Sequence, residues 1–219
     1  MILRRRKRVN DTEGFTIQFD VPAIPCNVGD SLKGFGRFDW VVLDLSDNMR
    51  EALIMTEDVI RDEKPYNHRK MAIIWKFCSL RTYLNRQFIQ SFHKKEQDCI
   101  AEKEMENYRN SRYGTIGGWK TKDKVFLLSF EEAERYFPYN QDRVAKHKKV
   151  SSNEPKIPCT WWLRSPGKKY RQAAVVDENG EIKHCTDVNA SLGVRPALWV
   201  KLDALTKCNC ELVHKEEPL

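Results

Sequence analysis

Thr160-Trp161-Trp162-Leu163-Arg164 opens a run that continues through Gln172 to Val176, a turn at Asp177-Glu178-Asn179-Gly180, Glu181 to Cys185 and Val194 to Leu202. Short apolar runs broken by Gly167, Gly180 and Gly193 are the pattern of strands joined by turns and loops. The C-terminal third therefore reads as strand and turn throughout. Asn179-Gly180 predicts a type I′ hairpin, in which both central residues take positive φ.

Working outward, Lys124 to Leu128 reads as a buried strand. Ser129 with Glu132 three residues on forms a capping box that opens a short helix to Phe137. Pro138 to Pro158, with Lys146-His147-Lys148-Lys149, reads as a long surface connection. From Met71 to Met105, Ile74, Phe77, Leu80, Leu84, Phe88 and Phe92 recur at helical spacing, and Asn85 is placed to cap a second helix. Glu96 to Tyr108, highly charged, reads as an exposed or partly frayed helix. Ser111 to Trp119, with Gly114, Gly117 and Gly118, reads as a loop. Arg37 to Leu45 and Glu51 to Met55 form a buried hairpin across Ser46-Asp47-Asn48, and Phe15, Ile17 and Phe19 alternate as a first strand. The fold class is α+β.

The 219 residues, 41% hydrophobic and 32% charged, suit one folded, soluble domain. No apolar run reaches the ~18 residues of a membrane helix, and Met1-Ile2-Leu3 lacks the apolar core of a signal peptide, so the reading is cytoplasmic with no membrane partner. Seven scattered cysteines fit a reducing compartment better than a disulfide framework. Cys208 and Cys210 form a lone C-x-C without the second ligand pair of a zinc site, and no metal or cofactor is expected. Of the net charge of +7, five positive charges sit on Arg4, Arg5, Arg6, Lys7 and Arg8, which leaves +2 for the remainder. That is a basic arm: a solvated terminus on one reading, a phosphate-contacting arm for nucleic acid on the other.

Trp161 to Gly167 (Trp-Trp-Leu-Arg-Ser-Pro-Gly) and Gly193 to Val200 (Gly-Val-Arg-Pro-Ala-Leu-Trp-Val) resemble the two signatures of a bacterial domain-of-unknown-function family. Trp40 to Asp44, Ala52 to Met55, Ser79 to Asn85 and Asp123 to Ser129 resemble it as well. The resemblance implies a fold similar to C-type lectins and formylglycine-generating enzymes: small twisted sheets, flanking helices and long surface loops. The resemblance runs from about Trp40 to Leu202, and the chain is divided into a basic arm and possible first strand over residues 1–33, outside the resemblance, the C-type-lectin-like domain over 34–205, and a tail over 206–219. Some similar proteins are the variable proteins of diversity-generating retroelements, in which residues between the two signatures are diversified; here that window is Lys168 to Leu192. Diversification from Asn codons cannot yield the Lys168, Lys169, Gln172, Glu178, Glu181 and Lys183 found there, so either those positions are not diversified or this copy is a fixed paralogue, the reading favoured here.

The expected ligand face is Lys168, Lys169, Tyr170, Arg171 and Gln172, three cations around an aromatic, with His184, Thr186, Asp187, Asn189 and Ser191 supplying hydrogen bonds beside it. An ordinary solvated loop and edge strand would show the same residues. Trp161, Trp162 and Trp199 read as packing, and Arg164 and Arg195 as structural cations that each need a partner. No nucleophile with a base, carboxylate pair or phosphate-cradling loop has diagnostic spacing; Cys159 and Cys185 are the only thiols near the expected face. The expectation is a non-catalytic module that binds a protein partner, with nucleic-acid association through the arm and a structural subunit of a phage or cellular assembly as alternatives.

Overall fold

The computed structural model describes residues 25–60, 63–147 and 157–215. The Arg4 to Arg8 arm, the Phe15 to Phe19 strand, Lys148 and Lys149 lie outside them. In chain order come β1 (Ser31–Phe35), β2 (Phe38–Leu45), β3 (Glu51–Thr56) and β4 (Lys64–Pro65), then the helices α1 (Ser79–Arg86) and α2 (Lys94–Cys99). The short strands β5 (Ile100–Ala101), β6 (Lys103–Met105) and β7 (Thr121–Asp123) lead to α3 (Phe130–Tyr136) and α4 (Asn140–Arg143). β8 (Ala145–Lys146), β9 (Pro158–Cys159), β10 (Trp161–Pro166), β11 (Gln172–Val176), β12 (Ile182–Asp187), β13 (Ser191–Leu192), β14 (Ala197–Lys201), α5 (Leu202–Leu205) and β15 (Glu211–Val213) complete the chain.

The architecture is α+β, with several small antiparallel sheets. One is six-stranded in the order β15-β1-β2-β3-β14-β5, and β10-β11-β12 form a second, three-stranded sheet. The hairpin expected from Arg37 to Met55 is β2–β3, with Val41 opposite Met55 and Val42 opposite Ile54. β14 joins its far side, Leu198 opposite Ile54, so β3 sits inside the sheet and all but its first residue is buried. Among the described residues, strands on both sides of positions 33 and 205 enter this sheet through β1 and β15.

The core between the sheets is aromatic: Trp40, Trp75, Trp161, Trp162 and Tyr66 are each at most 2% exposed. Their polar edges are paired, as burial requires. Trp40 Nε1 donates to the Phe35 carbonyl at 2.7 Å, Trp161 Nε1 to Arg143 O at 3.0 Å, and Trp162 Nε1 to Lys64 O at 2.8 Å. Trp199 is half-buried, with Lys103 Nζ 5.1 Å from its ring centre.

Four local expectations are corrected. Asn85 lies inside α1 and caps no helix; its side chain accepts from Lys124 N and Val125 N and donates to Val125 O. That explains the second correction. Val125 to Leu128 is fully buried as expected but forms no ladder beyond a single bridge, Phe126 to Ala197, because side chains take its backbone groups. Third, the residues after Cys99 extend into β5 and β6, and Ile100 pairs with Val200. Fourth, Gly180 has φ of 78° but Asn179 is not among the described residues with positive φ, so the turn is not type I′. Gly180 N donates to Asp177 O, and Asp177 Oδ1 accepts from Asn179 N and Glu181 N, so the Asp177 side chain organises the turn. The Ser129 and Glu132 capping box at α3 is present as read, with both reciprocal hydrogen bonds made.

A candidate ligand-binding face built from three loops

Lys168 to Gln172 is a tight loop between β10 and β11. Gly167 N donates to Gln172 O at 2.8 Å and Gln172 N to Lys169 O at 2.8 Å, which pushes Lys168, Lys169, Tyr170 and Arg171 outward; all four are exposed. Gln172 pairs with Asp187 in the β11–β12 ladder, and Val188 N donates to Arg171 O at 3.1 Å, so the Thr186 to Ser191 segment adjoins the loop as expected. Thr186 and Asp187 are partly exposed, and Asn189 and Ser191 exposed. Asp187 is held by Lys70 at 2.5 Å, and the hydrogen bond and charge of Lys70 keep its carboxyl below the usual range.

His184 does not belong to this face. Between the exposed Lys183 and Cys185 its side chain turns inward, and the imidazole is 5% exposed. Its ring sits edge-on between Tyr113 and Phe130, at 5.3 and 4.9 Å between centres. Asn110 Nδ2 donates to Nδ1 at 3.1 Å, which leaves the proton on Nε2, a buried atom with no partner among the described residues. Burial and the nearby Arg112 push the imidazole down to about 4. The unfolded chain takes up this proton near 6.5 and the folded one only near 4, so stability should fall as pH drops across that interval. Melting temperatures of the wild type and His184→Gln measured from neutral pH down to about 4 should therefore converge at the acid end; parallel curves would rule out His184 as the source.

Two further segments flank the loop, and neither was expected at the face. Residues 66–77 are tied to it by Ile73 N donating to Tyr170 O at 3.0 Å. Residues 107–122 are tied to it by Thr115 Oγ1 donating to Lys168 O at 3.2 Å, with Lys168 Nζ 5.8 Å from the Tyr113 ring centre. The flanking segments also meet each other. The Phe77 and Trp119 rings are 6.2 Å apart with Lys76 Nζ over both, and Gly118, at φ 110°, leaves room for Ile74, which a β-carbon would strike at 2.5 Å. A groove of about 680 Å³ opens beside Phe77, with His68, Ser79 and Tyr83 on its walls.

The face is rich in exposed apolar surface. Among the described residues, seven of the twelve large apolar side chains left exposed lie on the three segments: Met71, Phe77, Tyr108, Tyr113, Ile116, Trp119 and Tyr170. Phe77 shares the helical spacing of core residues, but it precedes α1, in a short 3₁₀ turn at Trp75–Phe77. Trp119 stood in a glycine loop, where no strand or helix pattern accounts for a tryptophan.

Cys159 is buried 3.7 Å from Ala145 O and pushed up to about 11 by burial and by Glu63, so it is protonated at neutral pH; Cys185 is exposed. A thiol reagent applied at neutral pH to the folded chain should modify the exposed Cys185 and spare the buried Cys159. Fast labelling of Cys159 would support a catalytic reading. Cys99, missed as a neighbour of the C-x-C, has its sulfur 3.3 Å from that of Cys208. Among the described residues no group of three or more His, Cys, Asp or Glu side chains is arranged to hold a metal ion, and no helix is long and apolar enough to cross a membrane.

The fold and this face describe an α+β domain whose surface loops present aromatic and cationic side chains. Comparison with protein families places it: a model described as a domain of unknown function, DUF6273, matches residues 50–202, well over half the chain, and the chain belongs to that family. No curated protein and no solved structure matches it.

Proposed function

We propose that this protein is a non-catalytic binding module, a C-type-lectin-like scaffold whose loop face captures a ligand without transforming it. The observation that carries the reading is the concentration of exposed aromatic side chains on three adjoining segments, with Phe77 60%, Trp119 65% and Tyr170 54% exposed. Folding gains nothing from aromatic surface left in water, and a soluble chain that keeps such a patch in one place has a contact surface there.

Capture from a lysate of the source cell tests the reading. Trp119→Ala and the pair Tyr170→Ala with Arg171→Ala should each lose the ligand retained by the wild type. Their melting temperatures should stay put, because exposed substitutions move stability by about 0.5 kcal/mol or less. Equal retention by wild type and variants would remove the face from the function, and a parallel fall in melting temperature would make these residues structural.

A further inference from the structure

We infer that the ligand of this face is single-stranded nucleic acid, bound by base stacking on its aromatic side chains and by its lysines and arginines at the phosphates; the inference rests on the binding-module reading. Residues 66–77, 107–122 and 166–176 together carry ten Lys and Arg and not one Asp or Glu, in a chain with 31 acidic residues. The carboxylates that reach these segments come from outside them. Asp187 meets Lys70, Glu134 meets Arg112, and Glu104 and Glu106 meet Lys120. Lys168, Lys169 and Arg69 form no ion pair among the described residues.

The same segments hold five of the six exposed aromatic side chains among the described residues: Phe77, Tyr113, Trp119 and Tyr170, and Tyr108, which lines a groove with Glu104, Glu106, Glu131 and Glu132. Cations stand beside the rings, Lys76 5.4 Å from the Trp119 ring centre and Lys168 5.8 Å from that of Tyr113. Rings that stack on bases, with mobile cations within reach of the linking phosphates, are the two elements by which proteins hold single strands without reading sequence. A duplex hides its base faces and would leave the aromatics unused. An acidic protein surface fits the cations less well, since six of the ten are lysine, a residue depleted from the cores of protein interfaces.

The test is a fluorescence titration of the full chain with oligomers of about 15 nucleotides, deoxythymidine and uridine in separate arms, against the same sequence as duplex and against heparin. Trp40, Trp75, Trp161 and Trp162 are at most 1% exposed and Trp199 is half-buried, so Trp119, at 65%, is the exposed reporter. A chain lacking residues 1–8 separates the face from the basic arm. Both single strands, or one of them if the 2′-hydroxyl is read, should quench Trp119 in the shortened chain and bind it more tightly than duplex or heparin. Trp119→Phe should abolish the quench, and Trp119→Ala, titrated by the anisotropy of a fluorescein-labelled oligomer, should weaken binding about tenfold, the worth of one stacked base. Lys168→Ala with Lys169→Ala should lower the slope of log affinity against log salt by about 1.4, at ~0.7 per phosphate on a single strand.

Loss of all binding with residues 1–8, duplex or heparin bound as tightly as single strands, or affinity unchanged in Trp119→Ala would each overturn the inference. If single strands do not bind but capture from lysate still depends on Trp119 and Tyr170, the binding face stands with a different ligand. If neither depends on them, both readings fall.

Discussion

Replacing Arg164 with methionine is expected to cost the fold about 3 kcal/mol and lower its melting temperature by about 10 °C. Arg164 stands on β10 with its side chain 4% exposed, and it grips Glu132 of α3 through both terminal nitrogens, Nη2 to Oε1 at 2.6 Å and Nη1 to Oε2. It also donates to the carbonyls of Leu127 at 2.9 Å and Glu106 at 3.3 Å, so one guanidinium joins three stretches of chain. Methionine fills the volume but leaves a partly buried carboxylate and two carbonyls without their donor. The loss belongs at the lower end for a broken buried pair, because Glu132 keeps 26% of its side chain exposed and the Ser129 amide at 2.9 Å. Urea unfolding at neutral pH measures it, and Glu132→Gln added to the methionine variant should restore part of it by removing the stranded charge.

The acid dependence carries the same signature. Burial works to raise the Glu132 carboxyl, but the charge and hydrogen bonds of Arg164 win and hold it below 4.5. A depressed carboxylate stabilises the fold above its unfolded value near 4.5 and loses that contribution as pH falls through the lower folded value. In the methionine variant the partner is gone, and this loss should disappear from the stability profile. An unchanged acid limb would mean that Arg164 is not what holds Glu132 charged.

How far the sequence could be read depended on whether a feature is local. The β2–β3 hairpin, the α3 capping box, the strands from Trp161 onward and the need of Arg164 for a partner all follow from neighbours in sequence or from the cost of burying a charge. The reading failed where distant side chains replace backbone partners. Asn85 satisfies Lys124 and Val125 from 39 and 40 residues away, so a run as apolar as Val125 to Leu128 is buried without a ladder. His184 was placed on the face by its chemistry, yet strand parity and the rings of Tyr113 and Phe130 put it inside. Phe77 and Trp119 escaped notice because exposure is a tertiary property: a phenylalanine at helical spacing and a tryptophan among glycines look alike in the sequence whether they are covered or bare. Contacts between distant segments, among them those at Ile73, Thr115 and Gly118, gather them beside Tyr170.

Asp123 ties that face to the core, and its removal should separate binding from stability. Its carboxylate is fully buried and accepts from Arg81 Nε at 2.7 Å, Thr121 Oγ1 at 2.8 Å and Trp75 Nε1 at 3.0 Å. Arg81 extends the tie to the carbonyls of Lys76 and Lys122, both at 3.1 Å, so the two segments that end in Phe77 and Trp119 are held by one acid–guanidinium pair. Asp123→Ala strands the indole N–H and part of the guanidinium, and the expected loss is about 3–5 kcal/mol. Arg164→Met should lose a comparable amount without touching either segment's tie to Asp123. At a temperature where both variants are still folded, Asp123→Ala should therefore bind the face's ligand markedly more weakly and show altered Trp119 emission, while Arg164→Met keeps wild-type affinity. Equal affinity in the two variants would show that the Phe77–Trp119 arrangement does not depend on Asp123; equal weakening would mean that general destabilisation, rather than the geometry of the three loops, controls binding.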